Sequence, residues 1–204
     1  MNYPELEKRV EVFVRSTFYS FSDTEFPYHN LDHTVRVVVH ARRIAHHYFL
    51  EPKELGILTV AAWFHDIGHL FSSEEEHEET GVAILQNYVE PLSLPAEVVG
   101  AIAGCILATR FPSHPRTLPE EILCDADTYH FGTEYFKHSD DIIRREIAIR
   151  AGRKFTDAEW HESSLQLLRQ HRYFTGYCQQ LLGEGKQRNI DWLLSLKETD
   201  QDKK

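Results

Sequence analysis

The sequence lacks the features that mark membrane, secreted and zinc-knuckle proteins. No apolar run approaches the roughly 20 residues that a membrane-spanning helix needs. Residues 1–15 carry charges where a secretion signal would have an apolar core. The three cysteines are widely spaced and include no CxxC motif, so they predict neither a disulfide framework nor a zinc site. We therefore expect a cytoplasmic protein with reduced, mostly buried thiols and no membrane partner.

Blocks of positive charge are also absent. The chain of 204 residues carries a formal net charge of −10 and no long Lys/Arg run, which argues against a nucleic-acid polymer as partner. The length fits one domain with a sizeable core. We expect a single domain over residues 1–196 and a charged, frayed tail over 197–204. A homo-oligomer is compatible with this composition.

Strand-like alternation is missing over any useful length, whereas apolar residues recur at helical spacing. The predicted helices span residues 4–19, 33–49, 52–66, about 73–88, 95–107, 140–150, 156–173 and 186–196, with one more around 124–127. Capping boxes are predicted at Ser72 or Ser73 before the fourth helix, at Thr117, and at Thr156. Short helices joined by tight loops predict an all-α fold.

What the chain does contain is thirteen histidines, several of them beside acidic residues. His65 and Asp66 stand within the apolar run 58–67, where a carboxylate buried without a partner is very costly. The pair therefore requires a cation, a proton or a dense hydrogen-bond network. An imidazole nitrogen beside a carboxylate oxygen suits Mn, Fe, Ni, Co or Zn.

Two further candidate ligands lie on other predicted helices. His33 falls in the first turn of one helix, and Asp127 ends the segment 122–127, which is apolar on one side and acidic on the other. Metal sites inside helical bundles are commonly built from side chains on facing helices. Two imidazoles and two carboxylates leave room on an octahedral ion for water and a phosphate oxygen. Asp66, with two oxygens, can also bridge to a second ion.

The order His33, then His65 and Asp66, then Asp127 resembles the H…HD…D signature of the HD superfamily of metal-dependent phosphohydrolases, over residues 28–132. The resemblance implies a compact multi-helix bundle with a metal site in its core. It implies that these four residues bind a divalent ion (Mn, Mg, Fe, Ni, Co or Zn). It further implies hydrolysis of a phosphoester or phosphoanhydride in a nucleotide or other small phosphorylated metabolite.

Local sequences carry the resemblance as well as the order. Residues 64–69 (FHDIGH) are similar to the central motif of the family, and residues 124–127 (CDAD) to an Asp-Ala-Asp motif of bacterial members. Residues 28–33 (YHNLDH) resemble a motif of the related cyclic-nucleotide phosphodiesterases. This match implies that His29 is a catalytic proton donor, which suits a poor alkoxide leaving group. Its ordinary alternative is to brace the loop by hydrogen bonds.

Three residues are candidates for substrate binding. His69 stands four residues after His65, so we expect it on the same helix face, beside the metal ligands or in contact with phosphate. Arg110 and His114 lie in the loop before the last ligand, where a contact with phosphate is plausible because loops often carry function. A purely structural role is the alternative for all three.

His77 and Glu78 occupy an acidic helix start, where charge complementarity on a solvated face is the simpler interpretation. Besides His69, only His77 and His114 could supply the extra histidines of binuclear HD proteins, and their spacing does not match well. This argues against one alternative, an HD-fold di-iron oxygenase. The other alternative is a non-catalytic HD module that binds a nucleotide and signals through a partner.

Overall fold

The computed structural model describes the backbone of residues 2–21 and 26–201, and side chains as far as residue 196. All regular elements in this part of the chain are helices, which confirms the predicted all-α class. The described residues form two compact units, one of residues 2–21 with 29–127 and one of residues 26–28 with 128–201. None of the described helices combines the length and hydropathy that crossing a bilayer demands.

The first unit is built around one central helix. Its helices are α1 (Tyr3–Tyr19), α2 (Leu31–His47), α3 (Pro52–Phe64), α4 (His77–Val89), α5 (Ala96–Ala108) and α6 (Leu118–Asp127). Helix α3 packs against α1, α2, α5 and α6, and α4 packs against α5 and a 3-10 turn at Ile67–Leu70. A second 3-10 turn at Glu90–Leu92 follows α4.

Helix α3 is central because its sequence is apolar on every side. All residues from 56 to 64 are buried, as expected for a helix without a polar face. Pro52 occupies the first turn, and Glu51 and Glu54 form a capping box there. The helix ends at Phe64, so the two residues that follow it emerge inside the core rather than at the surface.

The connection from α3 to α4 differs from the prediction. Neither capping box at Ser72 or Ser73 starts α4, which begins at His77 with no side-chain cap. Ser72 instead donates its hydroxyl to the Gly68 carbonyl oxygen at 3.1 Å, which binds it to the preceding 3-10 turn. Gly68 lies so close to α4 that a Cβ there would be 1.9 Å from the His77 carbonyl oxygen.

The second unit contains α7 (Phe136–Ala151), α8 (Asp157–Gln170) and α9 (Gly176–Gln201), preceded by a 3-10 segment at Thr128–Gly132. The predicted Thr156 capping box is confirmed at the start of α8. Helix α9 begins ten residues before the predicted position. Its backbone is described as far as Gln201, so part of the tail expected over 197–204 belongs to this helix and residues 202–204 lie outside the described residues.

Candidate metal centre

Four side chains predicted to bind metal come together where three helices meet. His33 lies in the first turn of α2, His65 and Asp66 directly follow α3, and Asp127 ends α6. One donor atom from each of the four lies within 4.8 Å of the other three. Two imidazoles and two carboxylates from distant parts of the sequence therefore meet at one point in the core.

The distances within this group fit ligands of a common ion. His33 Nε2 lies 3.1 Å from both Asp66 Oδ2 and Asp127 Oδ1. His65 Nε2 lies 3.1 Å from Asp66 Oδ2, 3.6 Å from Asp127 Oδ1 and 3.4 Å from His33 Nε2. Nitrogen and oxygen atoms bound to one ion at about 2.1 Å stand about 3.0 to 3.4 Å apart. The residues present thus fit a divalent cation.

Local hydrogen bonds orient the His65 ring and hold the helix turn that carries His33. His65 Nδ1 donates to the Ala62 carbonyl oxygen at 2.9 Å, so Nδ1 carries a proton and Nε2 faces the cluster. The Asn30 side chain caps α2 by accepting from the His33 backbone N–H at 3.0 Å. This cap fixes the helix turn from which His33 projects.

Asp66 is the carboxylate most dependent on its neighbours. It is 4% exposed, and its buried Oδ2 accepts no hydrogen bond of good geometry from any described residue. Burial by itself would raise the pKa of Asp66, but the His65 and His33 imidazoles hold it well below its usual range. Burial would likewise lower the pKa of His65, whereas Asp66 and Asp127 raise it well above normal. The cluster therefore favours ionised carboxylates at Asp66 and Asp127, with positive charge between them.

The second oxygen of Asp66 is directed at other histidines. Asp66 Oδ1 lies 3.9 Å from His69 Nε2 and 4.0 Å from His77 Nε2. The His29 and His69 rings are stacked with centroids 4.1 Å apart, and the His69 and His77 rings with centroids 3.8 Å apart. Two further groups of donor residues occur here. In each group, one donor atom per residue lies within 4.8 Å of the others. The groups are His29 with Asp66 and His69, and His69 with Glu74 and His77.

These positions correct two sequence-based expectations. His69 was expected on the helix face of His65, but it belongs to the 3-10 turn at Ile67–Leu70 and is buried there. His77 and Glu78 were expected on a solvated face, yet their side chains are 12% and 5% exposed. Spacing along the chain does not indicate this, because the close approach of Gly68 to α4 beside His77 is a tertiary contact.

A cleft of about 430 Å³ is lined by the two further groups of donor residues and, from the four-residue cluster, by the carboxylates Asp66 and Asp127. It is lined by His29, Asp66, His69, Glu74, Glu75, His77, Glu78, Thr109, Arg110, Phe111 and Asp127. The structure thus brings His29, His69 and Arg110 together with the ligand cluster. His114 is exposed and is not among these lining residues. The functional roles of all these residues stay predictions.

Comparison with known proteins identifies the fold. A family model described as HD domain matches residues 30–132, which include all four clustered residues. The crystal structure of a predicted HD superfamily hydrolase from an uncultured Thermotogales bacterium matches with a TM-score of 0.59 at 20% identity. The match covers 96% of this chain and 97% of that one, and at such low identity it bears on the fold alone. No curated protein sequence matches the chain.

Proposed function

Because the chain belongs to the HD domain family, we propose that it is a phosphohydrolase that cleaves a phosphoester or phosphoanhydride bond of a nucleotide or other small phosphorylated metabolite. Family membership supports the broader class of metal-dependent hydrolase. The observation that carries the proposal is the convergence of two imidazoles and two carboxylates at ligand spacing, with the two carboxylates, Asp66 and Asp127, lining an open cleft. A cleft of this volume suits a small metabolite.

The protein's part in this reaction is to hold and orient. His33, His65, Asp66 and Asp127 would bind one divalent ion, drawn from Mn, Mg, Fe, Ni, Co and Zn. When bound, such an ion polarises phosphate and activates water for attack near neutral pH. Burial of the imidazoles and of Asp66 keeps these ligands rigid and their charges unscreened by solvent.

We also propose that a second ion can bind on the other side of Asp66. The two oxygens of Asp66 are directed at different histidines. Oδ2 lies near His33 and His65, whereas Oδ1 lies near His69 and His77. A carboxylate in this position can bridge two cations, and the stacked imidazoles supply nitrogen donors. Two ions per chain by elemental analysis, falling to one in His77→Ala, would support this arrangement.

A panel of substrates tests the hydrolase. Purified protein loaded separately with each of the six metals should release phosphate or pyrophosphate from at least one nucleoside phosphate, cyclic nucleotide or sugar phosphate. Activity should disappear on chelation and return with the metal. Tight nucleotide binding without turnover under every metal would instead indicate a non-catalytic signalling module.

His29 offers a sharper test, because it lines the cleft and stacks on His69. We propose that it protonates the leaving group. His29→Gln should therefore slow an alkyl phosphate about 100-fold but p-nitrophenyl phosphate less than about 5-fold, since a good leaving group needs no acid. His46→Gln, an exposed change on α2, is the control. Equal losses on both substrates would rule out the acid role.

The histidines around Asp66 also bear on the di-iron alternative. The spacing of the histidines along the sequence argues against an oxygenase. In the structure, however, His69 and His77 lie within 4.0 Å of Asp66 Oδ1, so this argument no longer holds. Metal analysis separates the two functions. An oxygenase requires two irons and an oxygen-dependent visible spectrum, whereas a hydrolase works under anaerobic conditions with redox-inert Mg or Zn.

A further inference from the structure

Arg110, in the loop after α5, is held between two glutamates of α4. Its Nε and Nη2 atoms lie 3.3 Å and 3.0 Å from Glu78 Oε2, and Nη2 also contacts the Glu79 carboxylate. Among the described residues that line the cleft, Arg110 is the only lysine or arginine. The cleft therefore offers an incoming anion one guanidinium besides its histidines and its metal.

The two glutamates are unequal partners. The Glu78 side chain is 5% exposed, and it cannot lose its cation without leaving a buried carboxylate uncompensated. The Glu79 side chain is 55% exposed, and such surface pairs contribute little to stability. A phosphate group can form the same forked hydrogen bonds with a guanidinium as a carboxylate, and it carries about −1.5 to −2 charges against the single charge of Glu79. Glu79 is consequently the partner that an anion can replace.

Arg110 is separated from the metal ligands by a chain of contacts. Glu78 Oε1 lies 3.4 Å from His77 Nε2, and the same nitrogen lies 4.0 Å from Asp66 Oδ1. His77 and Glu78 thus stand between the guanidinium and the cluster. A phosphate at the ligand cluster leaves Arg110 available for a different group of the same molecule.

We propose that Arg110 binds a second anionic group of the substrate, and that Glu79 holds Arg110 in place until that group replaces it. This inference rests on the proposed function, because the second group is defined relative to the phosphate that reacts. The substrate class is then a di- or triphosphate or a bisphosphate, rather than a monoester with an uncharged remainder. Glu79 sets the selectivity, since a group that binds Arg110 must first displace this carboxylate.

The test measures equilibrium binding by calorimetry on the metal-loaded protein. The two probes are methylenebisphosphonate, which carries two anionic groups and resists hydrolysis, and methylphosphonate, which carries one. Glu79→Gln should bind the bisphosphonate about 3- to 10-fold more tightly, because a competing carboxylate is gone, while methylphosphonate binding changes less than about 2-fold. Arg110→Lys, which keeps the charge but loses the fork, should weaken the bisphosphonate about 10-fold and spare methylphosphonate.

Glu76→Gln is the matched control, because Glu76 is an exposed glutamate directly before α4, whereas the side-chain partners of Arg110 are Glu78 and Glu79. Equal effects of Glu76→Gln and Glu79→Gln would mean that the loss of any nearby negative charge changes binding. This result would overturn the proposal that the anion displaces Glu79 from Arg110. Equal losses of both probes in Arg110→Lys would overturn the second subsite.

The two proposals fail in different ways. If no phosphate compound is turned over but bisphosphonate binding still depends on Arg110 and Glu79, the subsite stands and the hydrolase does not. If turnover occurs and both probes respond alike to Arg110→Lys, the hydrolase stands and the subsite does not. Glu79→Gln replaces only an exposed carboxylate with an amide of similar size, so the protein should fold and the comparison can be made.

Discussion

Asp66→Asn is expected to lower kcat/KM by at least about 10³-fold and to reduce bound metal below one ion per chain. Asp66 Oδ2 lies 3.1 Å from both imidazole nitrogens of the cluster, and Oδ1 is directed at the other histidines. A neutral amide cannot compensate a cation at this position, and only one of its two atoms is an acceptor. Turnover and elemental analysis of the same preparation give the two readouts.

Thermal unfolding provides an independent measure of the same change. Metal at about 100 times its Kd should stabilise the wild-type protein by about 2.7 kcal/mol, and this gain should vanish in Asp66→Asn. The control is Asp32→Asn, the same chemical change at an exposed carboxylate in the first turn of α2. If Asp66→Asn retained both metal and activity, the assignment of the four ligands would have to be abandoned.

Gly68→Ala is expected to destabilise the protein by about 3 kcal/mol, which is about 6 to 12 °C in Tm for a chain of this size. The added methyl group would lie 1.9 Å from the His77 carbonyl oxygen and 2.9 Å from the Gly81 nitrogen. Both are backbone atoms, so the 3-10 turn and α4 must move apart. Because His69 and His77 lie on these two elements, kcat/KM should fall about 100-fold as well.

Gly100→Ala separates this clash from the general effect of removing a glycine. Gly100 is exposed within α5, and nothing lies within 4 Å of a Cβ built there. Alanine at an open helix position should stabilise the protein by about 0.5 to 1 kcal/mol and leave activity unchanged. A Gly68→Ala protein with wild-type Tm and turnover would show that the turn and α4 tolerate separation.

The four clustered residues could be predicted because each carries a local signal. A charged pair in an apolar run demands compensation, and His33 and Asp127 stand near helix ends that can face it. The structure brings the four together as expected. Whether they bind metal stays a prediction that the experiments above address.

The neighbourhood of Arg110 could not be predicted from local patterns. It depends on a tertiary contact at Gly68 and on α4 starting at His77. Both serines before α4 suggested an earlier start, but Ser72 is engaged by the preceding turn. Glu78 consequently faces the interior and pairs with Arg110, although its sequence context favours solvent.

The early start of α9 was missed for a different reason. Three glycines between residues 176 and 185 lower the helix propensity of this segment. Burial of Cys178 and Leu182 favours the helix nevertheless. Tertiary packing, which no window of sequence contains, decides the boundary here.

The residues that line the cleft come partly from the helix ends that carry the ligand cluster and partly from the segments that connect the helices. The ligand cluster lies on α2 and α6 and directly after α3. Glu74 and Glu75 come from the connection before α4, and Thr109, Arg110 and Phe111 from the connection before α6. Substitutions in these two connecting segments can therefore change the shape and charge of the cleft, while the four clustered residues at the helix ends stay in place.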